Sequence, residues 1–141
     1  MILTHPWARL IGIDRIIELH AEGIKRYGGH PTPDPAHGCL ERSLGAAWNA
    51  ELYQGAGEGL PGLCFAGCLL FYIANNNCFV DGNKRTAWMS AIDVLLGLDL
   101  TVDVSEDEAY DYCISILDGT VENATDVSLW LADRLAAIED S

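Results

Sequence analysis

The sequence predicts an all-α domain, a compact bundle of about six helices, and three observations carry that expectation. Leu10, Ile13, Ile16, Ile17, His20, Ile24 and Tyr27 recur with a helical period and form one apolar face. No charged residue occurs from Gly59 to Val80, and the strongly apolar part, Leu63 to Ala74, is too short to cross a bilayer. It suits a helix buried on all sides of a small domain. Ser105 followed by Glu108 makes a capping box, and Glu106 and Asp107 favour the positive end of a helix dipole.

Taken in order, the first helix ends at Gly28-Gly29, as a left-handed C-terminal turn requires. His30 to Gly38 holds Pro31, Pro33 and Pro35 and is expected to be an irregular, stiff loop. Helical pattern resumes around Leu40 to Tyr53, with Leu40, Leu44, Ala47 and Trp48 inward, before a break at Gly55, Gly57, Gly59 and Pro61. The buried helix, Leu63 to about Asn76, is followed by a short loop and a second apolar helix, about Lys84 to Leu96. Thr101 to Val104 reads as an extended link. A helix then runs from the capping box to about Leu117 and stops at Asp118-Gly119. The last helix is expected from about Asp126 to Ile138, with Val127, Trp130, Leu131 and Leu135 on one face. No repeat, low-complexity tract or long linker divides the chain, so residues 1–141 read as one domain.

The chain has 141 residues, is 50% apolar, and carries 8 Lys and Arg against 21 Asp and Glu, a net charge of −13. That apolar content excludes a disordered polyelectrolyte. The acidity excludes sequence-blind nucleic-acid binding, which needs clustered bases to neutralise phosphates, and docking on anionic membranes. Cys39, Cys64, Cys68, Cys78 and Cys113 are odd in number and follow no secretory leader pattern. No disulfide framework is therefore expected, and a reducing cytoplasm is the expected compartment. Cys64 and Cys68 read as core, and His5, His20, His30 and His37 lie too far from that pair in sequence to suggest zinc.

Positive charge is unevenly placed. Between Arg42 and Arg134 the only bases are Lys84 and Arg85, against fourteen acids. They open a helix, where the dipole disfavours cations, directly after Asp81-Gly82-Asn83. An anion between them accounts for that placement: a Gly-Asn turn offers backbone N–H groups, and the two bases add charge. Asp81 supplies a hard oxygen suited to a Mg²⁺ shared with phosphates. A turn whose Lys and Arg are merely solvated is the plainer reading of four such residues. Asp81, the flanking apolar helices and the absence of other bases favour the anion site.

Phe79-Val80-Asp81-Gly82-Asn83-Lys84-Arg85-Thr86-Ala87 resembles the signature of the Fic/Doc family, specifically its Doc (death-on-curing) branch, His-x-Phe-x-Asp-(Ala/Gly)-Asn-Lys-Arg. Leu19-His20, Ile24 and Arg26-Tyr27-Gly28-Gly29 are similar to the Doc first helix and its stop, and His37 to Arg42 lies where the family has its substrate-aligning flap. The resemblance covers about Leu10 to Leu135. It implies an all-α Fic fold with the motif loop between two central helices, ATP and Mg²⁺ as cofactors, and transfer of a nucleotide-derived group to a protein hydroxyl. For Doc toxins that group is the γ-phosphoryl and the target is of the elongation factor Tu type, which arrests translation; Fic enzymes transfer AMP. By the same resemblance Asp81 holds Mg²⁺, Gly82, Asn83, Lys84 and Arg85 hold phosphates, and Phe79 anchors the loop.

The resemblance breaks at one position. The family's general base is a His two residues before Phe79, and here that residue is Asn77. An amide accepts no proton near neutral pH, so this chain is expected to be inactive or severely impaired. Asn77 is then either an introduced substitution in a growth-arresting toxin or a natural feature of a dead nucleotide- or partner-binding module. The intact phosphate-binding residues favour the inactivated toxin. Fic-type inhibition uses a Ser/Thr-x-x-x-Glu-Gly/Asn helix, which is missing here; Thr120-Val121-Glu122-Asn123 has the wrong spacing. Control by a separate Phd-like antitoxin is therefore expected, its helix lying in an apolar groove. Among the remaining candidates, His20 reads as a hydrogen-bonded core histidine and Cys78 lacks an activating base. Trp48, Trp88 and Trp130 read as packing, and the acids from Asp103 to Asp111 as a solvated helix start.

Overall fold

A computed structural model describes residues 11–31, 37–55 and 61–137. The expectations for Leu10, Pro33, Pro35, Gly57, Gly59 and Ile138 fall outside the described residues. The described residues form six α-helices: α1 (Ile13–Tyr27), α2 (His37–Ala50), α3 (Leu63–Asn76), α4 (Asn83–Leu96), α5 (Glu106–Leu117) and α6 (Ala124–Ala132). Two short strands, β1 (Leu100–Val102) and β2 (Leu135–Ala137), pair antiparallel with Thr101 opposite Ala136.

Helix α3 is the centre of the bundle, with α2, α4 and α6 packed on it. Its apolar run buries Phe65, Cys68, Leu69, Leu70, Ile73 and Ala74. Close approach to α6 depends on Gly67, where an added Cβ would meet the Ser128 backbone at 2.7 Å. The uncharged run is therefore a core helix, and no helix among the described residues is long and apolar enough to cross a membrane. Helix α1 packs on α4 and is tied to it by Arg15, whose Nη2 lies 2.9 Å from Asp93 Oδ1. The Ser105 cap is present, its hydroxyl accepting from the Glu108 amide at 3.1 Å. The acids Asp103, Glu106, Asp107, Glu108 and Asp111 are all exposed.

Three expectations are corrected. Helix α2 starts at His37 rather than around Leu40, so the segment aligned with the family's flap is its first helical turns. The same helix runs on into a π-helical turn, Glu51–Gly55. That turn lets buried Glu51 (4% exposed) accept the Phe65 amide at 3.0 Å, capping α3 from 14 residues away, a contact that sequence spacing does not reveal. The last helix stops at Ala132, and Leu135–Ala137 pairs as a strand with the segment expected only to be a link. The Asp103 amide donates to the Arg134 carbonyl at 2.8 Å, and Arg134 folds over Trp130, its Nη1 donating to the Trp130 carbonyl at 3.1 Å. Once α6 ends, pairing with β1 satisfies backbone groups that another turn would not.

The cysteine reading also changes. Cys39 and Cys78 form a disulfide with Cα atoms 5.5 Å apart. Counting and spacing missed it because the packing of α2 on the loop after α3 brings the pair together across 39 residues. Cys64, Cys68 and Cys113 are free. Cys64 and Cys68 face each other one helical turn apart, Sγ to Sγ 3.9 Å, beside Ser128.

Candidate functional site

The loop from Asn77 to Gly82 joins the two central helices, α3 and α4. Asn77 is the C-cap of α3 with φ 49° and ψ 49°, a left-handed conformation in which Asn and His are both over-represented among side-chain-bearing residues. Both of its neighbours are tied to α2. Asn76 Nδ2 donates to Ser43 Oγ at 2.9 Å, and Cys78 is bonded to Cys39. Asn77 is thus an exposed residue held between two anchored ones.

The loop is then fixed from inside. Phe79 is 4% exposed and its ring lies flat on the His20 imidazole, centroids 4.0 Å apart and 7° from parallel. Asn83 Oδ1 accepts the Phe79 amide at 3.0 Å, and Asn83 Nδ2 donates to the Phe79 carbonyl at 2.9 Å. The Asn83 carboxamide thus ties the loop to the start of α4, with one bond to each polar group of the Phe79 main chain.

Asp81 is exposed. Its Oδ1 accepts the Gly82 amide at 2.8 Å and its Oδ2 accepts the His30 amide at 3.1 Å. These two amides, His30's first, hold the carboxyl below the usual aspartate value, and the Lys84 charge adds to them. The His30 contact explains the Gly-Gly stop of α1. Gly29 has φ 118°, and a Cβ there would lie 2.8 Å from Asp81 Oδ2. Sequence reading found Gly28-Gly29 as a helix end and missed its second use, admitting the Asp81 carboxylate.

Gly82 is the N-cap of α4 with φ 76° and contributes no capping side chain. The first amides of α4 that follow it, those of Asn83, Lys84 and Arg85, have no partner within the helix and can donate to an anion. Among the described residues neither Lys84 nor Arg85 forms an ion pair. Lys84 is half-buried; Arg85 is exposed and rests on α1, its guanidinium 4.3 Å from the Tyr27 ring centroid. Tyr27 as a bed for Arg85 was not foreseen; the apolar period placed it only on the inner face.

Asp81 is the loop's one carboxylate, ionised at neutral pH, and each oxygen keeps a lone pair after accepting one amide. One oriented carboxylate beside an amide-lined turn fits Mg²⁺ held jointly with phosphates rather than in a protein cage. Among the described residues no group of three or more His, Cys, Asp or Glu forms such a cage.

The family model described as Fic/DOC family matches residues 10–95. The chain belongs to the Fic/DOC family. The match spans the loop, His20, Tyr27, Gly29 and the start of α4, so all of the site described above lies inside it. No curated protein matches the chain by sequence. Fic/DOC membership and the all-α fold agree with each other and with the motif loop's place between α3 and α4.

Proposed function

We propose that the chain is a Doc-type member of the Fic/DOC family that holds ATP with Mg²⁺ at the Asp81–Arg85 turn. Its reaction type is transfer of the γ-phosphoryl group to a protein hydroxyl, on a target of the elongation factor Tu type, which arrests translation. One observation carries this reading. An ionised Asp81, preset by two amides, adjoins a helix start without a capping side chain, where two cations form no ion pair among the described residues. Phosphoryl transfer depends mainly on such positioning and charge neutralisation.

Within that reading Asp81 holds the metal, which supplies charge neutralisation when bound. The amides of α4 with Lys84 and Arg85 hold the phosphates, and Phe79 and Asn83 keep the loop rigid. The hydroxyl oxygen of the target bonds to the γ-phosphorus, the bond to the β-bridging oxygen breaks, ADP leaves, and the hydroxyl proton needs an acceptor. Position 77 is the family's place for that acceptor, and the Asn77 amide cannot take the proton. The chain with Asn77 therefore binds nucleotide without turning it over. The same residue favours a second reading, a module that binds nucleotide or a partner and performs no chemistry.

The activity belongs in the cytoplasm, with a Phd-like antitoxin as regulator. The test is calorimetric titration with Mg²⁺·ATP. Lys84→Ala with Arg85→Ala is expected to abolish binding, and affinity equal to the parent contradicts the site.

A further inference from the structure

His20 is the one buried titratable side chain at the loop that the chemistry above leaves without a task. It is 5% exposed and sits on the inner face of α1. Its Nε2 lies 2.7 Å from the Asp81 carbonyl oxygen. A carbonyl only accepts, so Nε2 carries the proton. The ring meanwhile stacks on Phe79, and its edge lies 3.6 Å from where a Cβ on Gly82 would be. One side chain thus touches residues 79 and 81 of the loop and lies beside Gly82. The contact falls on the main chain of the residue whose carboxylate faces outward.

We infer that His20 is the positioning residue for Asp81: its Nε2–H holds the Asp81 peptide so that the carboxylate meets the Gly82 and His30 amides. The inference rests on the nucleotide reading only for its consequence, the orientation of Asp81 toward a metal-bound phosphate. The geometry of the brace stands without it. Fixing the peptide from below leaves the carboxylate few orientations, and the two amides select one. Packing alone would not need the polar contact, since a phenyl ring fills the same space against Phe79.

Two substitutions separate the brace from the packing. His20→Phe keeps a ring on Phe79 and removes the donor; His20→Gln keeps an N–H donor and removes the ring. Amide hydrogen exchange at Gly82 and His30 reports the Asp81 carboxylate directly and needs no nucleotide. His20→Phe is expected to speed exchange at both amides about tenfold, the worth of about one hydrogen bond. His20→Gln is expected to retain their protection. Val127→Ala, a destabilising change in α6, is expected to leave both amides as in the parent once global unfolding is accounted for. In the same proteins, the gain in ATP affinity caused by Mg²⁺ is expected to shrink with Phe and to persist with Gln. Unchanged exchange in His20→Phe, or equal loss with Phe and Gln, overturns the assignment. A parent chain that fails to bind Mg²⁺·ATP overturns the nucleotide reading alone, and the exchange comparison still decides the role of His20.

Discussion

Asn83 takes both polar groups of the Phe79 main chain, accepting its amide at 3.0 Å and donating to its carbonyl at 2.9 Å. One side chain thereby joins the first residue of α4 to the buried end of the motif loop. Asn83→Ala is expected to cost about 2–3 kcal/mol, because two partly buried backbone groups lose their partners. Asn83→Asp, which keeps the acceptor for the amide and loses the donor to the carbonyl, is expected to cost less than the alanine. Equilibrium urea unfolding measures both, and a loss below about 0.5 kcal/mol for the alanine rules out the brace.

The Cys39–Cys78 bond links the first turn of α2 to the residue after Asn77. Closing that loop is expected to stabilise the oxidised protein by about 2–4 kcal/mol. Denaturation of the parent with reductant, and of Cys39→Ser without it, should give coinciding curves below that of the oxidised parent. Cys64, Cys68 and Cys113 remain free throughout, so three reactive thiols in the unfolded oxidised chain check the pairing. Five thiols contradict it.

Asp81 carries a pH signature. The His30 and Gly82 amides lower its pKa in the folded state, so its contribution to stability is present above the ordinary aspartate value of 3.8. That contribution is lost as pH falls through the lowered folded value, because protonation removes the charge the amides bind. A carbon-detected NMR titration of the Asp81 carboxyl should give a midpoint below 3.8. Gly29→Ala places a methyl group against Oδ2 and should move that midpoint back upward. A parent midpoint at or above the ordinary value contradicts the two-amide clamp.

The helices from Leu63 to Asn76 and from the Ser105 cap to Leu117 were legible because apolar period and capping chemistry are local signals. So was the motif's place between α3 and α4, since the residues from Phe79 to Ala87 that carry the family signature are contiguous in sequence. His20 was legible as a hydrogen-bonded interior histidine, but its partner, the Asp81 carbonyl, lies 61 residues away and carries no sequence signal. The same holds for Cys39 with Cys78 and for Glu51 on the Phe65 amide, contacts that only the packing of α2 and its π-helical turn on α3 creates. The strand at Leu135–Ala137 was misread because Leu135 continues the apolar period of α6; pairing with Leu100–Val102 overrode it. Asn83 shows a subtler limit. Its type suits a phosphate ligand equally well, and only the two bonds to Phe79 show where its side chain is used.

The central claim, a complete phosphoryl-transfer site lacking only its proton acceptor, is tested most directly at position 77. Histidine tolerates the left-handed backbone that Asn77 adopts, so Asn77→His is expected to fold as the parent does. The variant is incubated with elongation factor Tu and ATP labelled at either the γ or the α phosphate, beside the parent chain. The account predicts label on the target from γ-labelled ATP alone, with the variant and not with the parent. Label from the α position would mean AMP transfer instead, and no label on the factor or on any lysate protein from either nucleotide would contradict the account.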